Sequence, residues 1–307
     1  MAEREEEFFH GAPPPPNLSR VRDEVAAFVR RQRSRGRKVV FITSGGTSVP
    51  LEKNTVRFLD NFSSGGRGSS SAEVFLSRGY GVIFMHRAGS LRPFHRHITN
   101  GDLLDCIKVE DEGTITISVD GKRRENLLEA VSLYRRVKSD ESLLLVPFTT
   151  VFDYAHLLRD ISLLLNPLGK DVVIYLAAAV SDFYIPHDEM SEHKITSSQN
   201  LQLSFHRTPK LITPLRNSWS PQAFTVTFKL ETDDELLVPH AREALKKYRH
   251  QVVVANLLQS RHTKVTIVTE EGRRRRREER EKSNNSLLIK SFPNIPIIPA
   301  HEIFMCL

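Results

Sequence analysis

The chain has 307 residues, 39% hydrophobic and 26% charged, with a formal net charge of +7 and 2 cysteines. That is enough apolar material for a substantial core and too little cysteine for a disulfide framework. The positive charge is local, at +6 over residues 20–38 and +4 over residues 273–282 against −3 elsewhere, which reads as solvated helix faces or unstructured runs rather than a nucleic-acid surface. The longest apolar run, residues 172–180, falls well short of the roughly 20 residues that cross a bilayer, so no membrane role is expected.

Residues 1–16 are acidic and then proline-rich, the reverse of a cationic leader. They are expected to be disordered, and with so few cysteines the default address is a reducing, cytoplasmic one. A helix is predicted from Asn17 as N-cap, with Leu18, Val21, Val25, Phe28 and Val29 on one stripe and Gly36 as the stop. Lys38 to Thr43 reads as a buried strand ended by Gly45 and Gly46, a helix carries Ala72, Phe75 and Leu76 to Gly79, and residues 81–85 form a second strand. Ile107 and Val109, then Ile115, Ile117 and Val119, alternate with polar residues about Asp111-Glu112-Gly113. This predicts an antiparallel hairpin projecting from the main sheet, with an edge open to a second copy of the chain.

Strands are predicted at residues 143–147, 172–180, 223–228, 252–256 and 264–269, with a helix over 151–165 and helical patterns near 211–216 and 236–248. Short apolar strands alternating with amphipathic helices imply an α/β fold, a Rossmann-like, doubly wound, mainly parallel sheet covered on both faces, over residues 17–269. Residues 270–307 run from arginine-rich to serine- and asparagine-rich to Pro293, Pro296 and Pro299, and are expected to be a poorly ordered tail. Without a closing helix there, residues 265–268 would expose apolar surface.

In an open α/β sheet ligands bind beyond the carboxyl ends of the strands, and phosphates favour backbone amides at helix N-termini. Two segments meet that need: Thr43-Ser-Gly-Gly-Thr47 after the first strand and Asn61-Phe-Ser-Ser-Gly-Gly-Arg-Gly68 before the next helix. Glycines permit close backbone approach and serine hydroxyls donate, so together the segments suggest a nucleotide, although each alone could be a tight turn. Neither GxxxxGK[ST] nor a clean GxGxxG is present. An NAD enzyme would want an acid after the second strand, where His86 and Arg87 stand; an NADP-binding oxidoreductase using Arg87 stays open. No Ser-His-Asp, Cys-His or paired-carboxylate set emerges. None of the 12 histidines has metal-ligand spacing, so no metal-binding residue is expected, and His95 and His97 read as solvated.

Over residues 39–269 the strings FITSGGTSVPLEKNTVRFLDNFSSGGRGSSSAEVFLSRGYGVIFMHR, YLAAAVSDFY, EHKI, FKLETD and VVVANLL follow in order. They closely resemble the phosphopantothenoylcysteine synthetases of the eukaryotic, monofunctional type. The resemblance implies a ligase of coenzyme A biosynthesis that joins the carboxylate of 4′-phosphopantothenate to the amine of L-cysteine. ATP would activate the acid as an acyl-adenylate, with Mg²⁺ held mainly by the phosphates, and the protein would work by alignment and charge neutralisation.

By the same resemblance Gly45, Ser63, Gly65 and Gly68 form the nucleotide cradle, with Phe228 against the base and Asn256 as a polar contact. Asn61, Ala178, Ala179 and Asp182 hold the pantothenate, and Arg57 reaches it from a neighbouring subunit of a homodimer. Asn61 holds the acyl intermediate, Asp182 accepts from the pantoyl hydroxyl, and Lys194 closes over the triphosphate from a flap. Blander readings stay open: Phe228 and the two alanines as core, Asn256 as a turn cap, Asp182 as an N-cap, Arg57 as a partner of Asp60, and Lys194 as a plain surface lysine. A divergent tail leaves room for a folded but inactive nucleotide-binding homologue. ATP is not separated from CTP.

Overall fold

A computed structural model describes residues 2–11, 13–97, 106–109, 113–118, 121–196, 200–261, 264–269 and 275–276. In chain order the chain forms α1 (Ala2–Gly11), α2 (Leu18–Ser34), β1 (Val39–Ser44), β2 (Ser48–Pro50), β3 (Phe58–Asp60), α3 (Gly66–Ser77) and β4 (Gly81–Arg87). There follow β5 (Ile107–Val109), β6 (Ile115–Ile117), α4 (Gly121–Ser139), β7 (Leu143–Phe148), α5 (Val151–Leu165) and β8 (Val172–Leu176). The chain continues through β9 (Phe183–Tyr184), β10 (His206–Arg207), a helical turn over residues 212–219, β11 (Phe224–Glu231), α6 (Asp234–Tyr248), β12 (Val252–Leu257), β13 (Thr266–Thr269) and β14 (Arg275–Arg276).

The main sheet runs β14-β13-β12-β11-β8-β1-β4-β7. Neighbours from β12 to β7 are parallel, and β13 and β14 add antiparallel. Its central strands are largely apolar and rich in valine and isoleucine because helices cover both faces. Val39 stands opposite Gly81 on one side and Val172 on the other. From β1 the chain steps outward through β4 to β7, then returns to lay β8 on the far side of β1. The connections after β1 therefore leave in opposite directions and open a crevice between the carboxyl ends of β1 and β8.

Against one face α2 and α5 bury Val21, Val25, Phe28, Leu157, Leu158 and Ile161 on Phe41 and Ile174. Helix α5 starts where its sequence says it should. Thr150 accepts from the Asp153 amide at 3.0 Å while the Asp153 carboxylate accepts from the Thr150 amide at 2.8 Å, a reciprocal capping box. On the other face Ala72, Phe75, Ala130 and Val137 meet Val40, Phe84 and Tyr175. Val265 and Ile267 are buried in that second cluster, and Val268 packs with Leu237, Ala241 and Leu245, so the strand at 265–268 is covered rather than exposed.

Several expectations are corrected. The first 16 residues are not structureless: α1 spans residues 2–11, and Phe8, 1% exposed, packs its ring 4.8 Å from Tyr184 and 5.7 Å from Phe152. Full burial of one phenylalanine contributes roughly 1.5–3 kcal/mol, an anchor for a short segment whose charged composition alone predicts disorder. Helix α4 has no counterpart in the sequence reading; of its apolar residues only Ala130 and Val137 are buried, so it carries a weak stripe. Asn17 precedes α2 but makes no side-chain cap bond. The hairpin forms as β5 and β6 with Val109, Ile115 and Ile117 exposed, and Val119 lies outside the described residues. Most of residues 270–307 also lie outside them. Among the described residues no helix is long and apolar enough to cross a membrane.

Candidate functional site

Beyond the sheet the β1–β8 ladder continues into the two loops. The Ala177 amide donates to the Thr43 carbonyl (3.1 Å), Ala179 to Gly45 (2.8 Å) and Thr47 to Ala179 (3.0 Å). The hydroxyls of Thr43 and Thr47 accept from the amides of Ala178 and Ser181 at 3.3 and 3.0 Å. The glycine turn and the segment leading to Asp182 are thereby one hydrogen-bonded corner. Asn61 joins it through its amide, which donates to the Thr47 carbonyl at 3.1 Å, and its backbone lies so close to Gly46 that a Cβ there would meet the Asn61 carbonyl.

Gly45 has φ +85°, and a Cβ on it would stand 2.6 Å from Cβ of Arg87. Only glycine fits such a backbone without strain. Ser44 ties this turn to the second glycine segment by donating from its hydroxyl to the Gly65 carbonyl at 3.1 Å, just before α3. Gly68 lets α3 settle onto β1, since a Cβ there would lie 2.6 Å from Cβ of Ser44. Gly45, Asn61, Gly65, Gly68, Ala178 and Ala179 thus come together at the switch point, with Ser63 half-buried between Asn61 and Gly65.

Phe228, midway along β11, and Asn256, near the carboxyl end of β12, are joined to α3 by a residue the sequence reading passed over. The Arg67 guanidinium stands 5.4 Å from the centroid of the Phe228 ring. It donates through Nη1 to Asn256 Oδ1 at 3.1 Å and through Nη2 to the Arg261 carbonyl at 2.5 Å. Burial pushes its pKa below the usual value; the Tyr175 hydroxyl acts the other way and the nearby Arg261 charge lowers it further. Phe228 also meets Tyr175 edge-on at 5.1 Å, so it is half core and half surface. Among the described residues the Asn256 side-chain oxygen takes Arg67 as its partner.

The β2–β3 ribbon is organised by Glu52, whose side chain is fully buried. It accepts from the backbone amides of Val56 (3.3 Å), Arg57 (2.9 Å) and Ile195 (3.4 Å) and from Arg57 Nε (3.0 Å). Burial pushes the Glu52 carboxyl up, but those amides and the Arg57 charge outweigh it and hold the pKa below the ordinary carboxylate value. Arg57 also donates to the Ile195 carbonyl. Its ion-pair partner is therefore Glu52 and not Asp60, which pairs instead with Arg87 Nη1 at 2.9 Å.

Arg87 donates to the Gly46 carbonyl as well (3.1 Å) and lies over Phe58, so the group that an NADP reading would use is committed to this corner. Lys194 is exposed, on a segment tied to the ribbon at Ser191 and Ile195. Asp182 is exposed and pairs with Lys210. His97 is not simply solvated: its Nε2 lies 2.9 Å from Glu73 Oε2.

Arg67 sits inside the quoted glycine segment, and its place in the first turn of a helix beside glycines was the available signal. For Glu52 the only hint was a carboxylate five residues before Arg57.

The parallel sheet, its switch point and the glycine-built corner there define a doubly wound α/β protein with its cleft between β1 and β8. Residues 162–291 match the family described as the DNA/pantothenate metabolism flavoprotein C-terminal domain. The chain is 46% identical over 263 residues to the phosphopantothenate–cysteine ligase of Homo sapiens, covering 84% of this chain and 85% of that one. It is 43% identical over 298 residues to the ligase of the same name from Mus musculus, covering 96% of each. A Cab2 mutant solved in complex with phosphopantothenate-cysteine superposes with a TM-score of 0.81 at 41% identity, covering 91% of this chain and 92% of that one. The chain belongs to the phosphopantothenate–cysteine ligase family.

Proposed function

We propose that the chain joins 4′-phosphopantothenate to L-cysteine at the expense of ATP, the second step from pantothenate toward coenzyme A. The observation that carries this reading is the ladder linking Gly45 and Thr47 to Ala179, which sets the glycine turn beside the segment running to Asp182. A nucleoside triphosphate and a carboxylic acid need such adjacency, because an unactivated carboxylate is a poor electrophile and must meet the α-phosphorus in line. The names of the human and mouse relatives and the ligand held by the Cab2 mutant agree with this chemistry.

In this reading the turns at Gly45 and Gly65 present backbone to the phosphates, with Ser63 and Gly68 completing the cradle, Phe228 against the base and Asn256 at its edge. Asn61, Ala178, Ala179 and Asp182 receive the pantoyl part, and Arg57, across a homodimer interface, binds the substrate's phosphate. The carboxylate attacks ATP to give an acyl-adenylate and pyrophosphate. The cysteine amine then displaces AMP, with Asn61 holding the reacting carbonyl and Lys194 facing the departing phosphates.

No enzyme nucleophile is needed, so rate comes from alignment and from charge neutralisation. Among the described residues no group of three or more His, Cys, Asp or Glu side chains could hold a metal ion. Mg²⁺ in this reading enters on the phosphates, and no step runs through a protein-bound ion. The exposed apolar hairpin residues Val109, Ile115 and Ile117 support the homodimer, and the cytoplasm is its proposed location.

Purified protein given 4′-phosphopantothenate, L-cysteine and ATP should form the amide, identified by mass, with one AMP and one pyrophosphate released per product. Nucleotide binding with no amide formed would refute the ligase reading.

A further inference from the structure

Arg67 carries a permanent charge into a partly buried place where every partner it finds is neutral: an amide oxygen of Asn256, the carbonyl of Arg261 and the face of Phe228. Among the described residues no carboxylate forms an ion pair with it, and the charge of Arg261 works against it. A guanidinium so placed keeps an unmet demand for an anion, since a desolvated charge without a counter-charge is unfavourable. It also stands on the second residue of α3, where the helix dipole adds positive potential of its own. Two positive sources therefore converge at the start of α3, on the carboxyl side of the sheet, where Ser44 and Gly65 close the glycine cradle.

We propose that Arg67 is the fixed cation that meets the phosphates of the nucleotide, positioned by its stack on Phe228 and its bond to Asn256. Arginine has only donors, so the Asn256 oxygen must be the atom that faces it, and the amide nitrogen of Asn256 is turned the other way. The remaining N–H donors of the guanidinium fork are suited to two oxygens of one phosphate. Arg67 thus does two things at once: it holds Asn256 donor-outward, and it supplies the countercharge that the backbone cradle lacks.

This inference rests on the nucleotide reading proposed above, and the test separates the two. Binding of ATP and of adenosine to the full chain is measured by calorimetry, with KM values for all three substrates, for the natural protein, Arg67→Gln and Arg67→Lys. Arg67→Gln keeps a donor for Asn256 and removes the charge. It should weaken ATP binding and raise the KM for ATP by about 10- to 100-fold, while adenosine binding and the KM for phosphopantothenate stay unchanged. Arg67→Lys should lose less on ATP, by about three- to tenfold, and nothing on adenosine.

Equal loss on ATP and adenosine would mean that Arg67 merely props Phe228 and Asn256, and no loss on ATP would mean that it meets no phosphate; either overturns the proposal while leaving the ligase reading intact. If Arg67→Gln does not fold, the ratio of ATP to adenosine loss in Arg67→Lys decides alone. Natural protein that binds no ATP and forms no amide would overturn both readings.

Discussion

Around Gly45, Gly65 and Gly68 the cleft is walled by main chain, locked by ladder bonds that extend the sheet and by contacts too close for a side chain, whereas the adjoining ribbon bearing Arg57 and the loop bearing Lys194 are joined through the side chain of Glu52. The first wall inherits the rigidity of the parallel sheet. The second depends on one buried carboxylate. Damage to the first should therefore cost stability, and damage to the second should cost substrate binding more than the fold.

The largest effect is expected at Gly46, where an alanine Cβ would run into the Asn61 carbonyl and only main chain could yield. Gly46→Ala should lower folding stability by ~3 kcal/mol or more in a denaturant titration; a loss under ~1 kcal/mol would show that this wall is softer than its contacts imply. Gly68→Ala comes next, at about 1–3 kcal/mol, because the obstacle is the Ser44 side chain. Ser44→Gly in the same chain should return part of that loss, and strict additivity of the two would contradict direct contact.

On the second wall Glu52→Gln should raise the KM for phosphopantothenate about tenfold; an unchanged value would show that this carboxylate does not set Arg57. Its stability signature is set by pH. The folded pKa of Glu52 lies below its unfolded value, so its contribution is present above the ordinary carboxylate range and is lost as pH falls through the lowered folded value. The midpoints of natural protein and Glu52→Gln should converge in acid. The smallest stability effect belongs to Asp182→Asn, which breaks an ion pair whose side chains are 66% and 60% exposed. A change within ~1 kcal/mol is expected in thermal unfolding, together with a higher KM for phosphopantothenate. An unchanged KM would remove Asp182 from the acid's pocket.

The same contrast explains what could be read without a structure. Strands such as β1, β8 and β12 are short runs led by valine and isoleucine, as a strand buried on both faces must be. The glycine corner was legible because close approach of two backbones leaves a mark on the residue type itself. Helix α4 left no such mark, with its charged residues spread around the helix and only Ala130 and Val137 buried. Helix α1 was hidden by its glutamates, which outweigh Phe8 and Phe9 in any average over composition. Arg67 and Glu52 escaped for a different reason. Their partners Asn256 and Ile195 lie 189 and 143 residues away, and a charged side chain announces no partner at that range. The pairing of Arg57 with Asp60 was the local choice, and the fold satisfied both through other residues.

Phe8 gives the amino-terminal helix a mechanical part to play. Its ring rests on Tyr184, two positions past Asp182 and paired with His206 through the β9–β10 bridge, so the leading segment acts as a strut against the loop that carries Asp182. Trimming the chain to its second helix would leave an aromatic socket of Phe152 and Tyr184 open to water and remove the prop behind that loop.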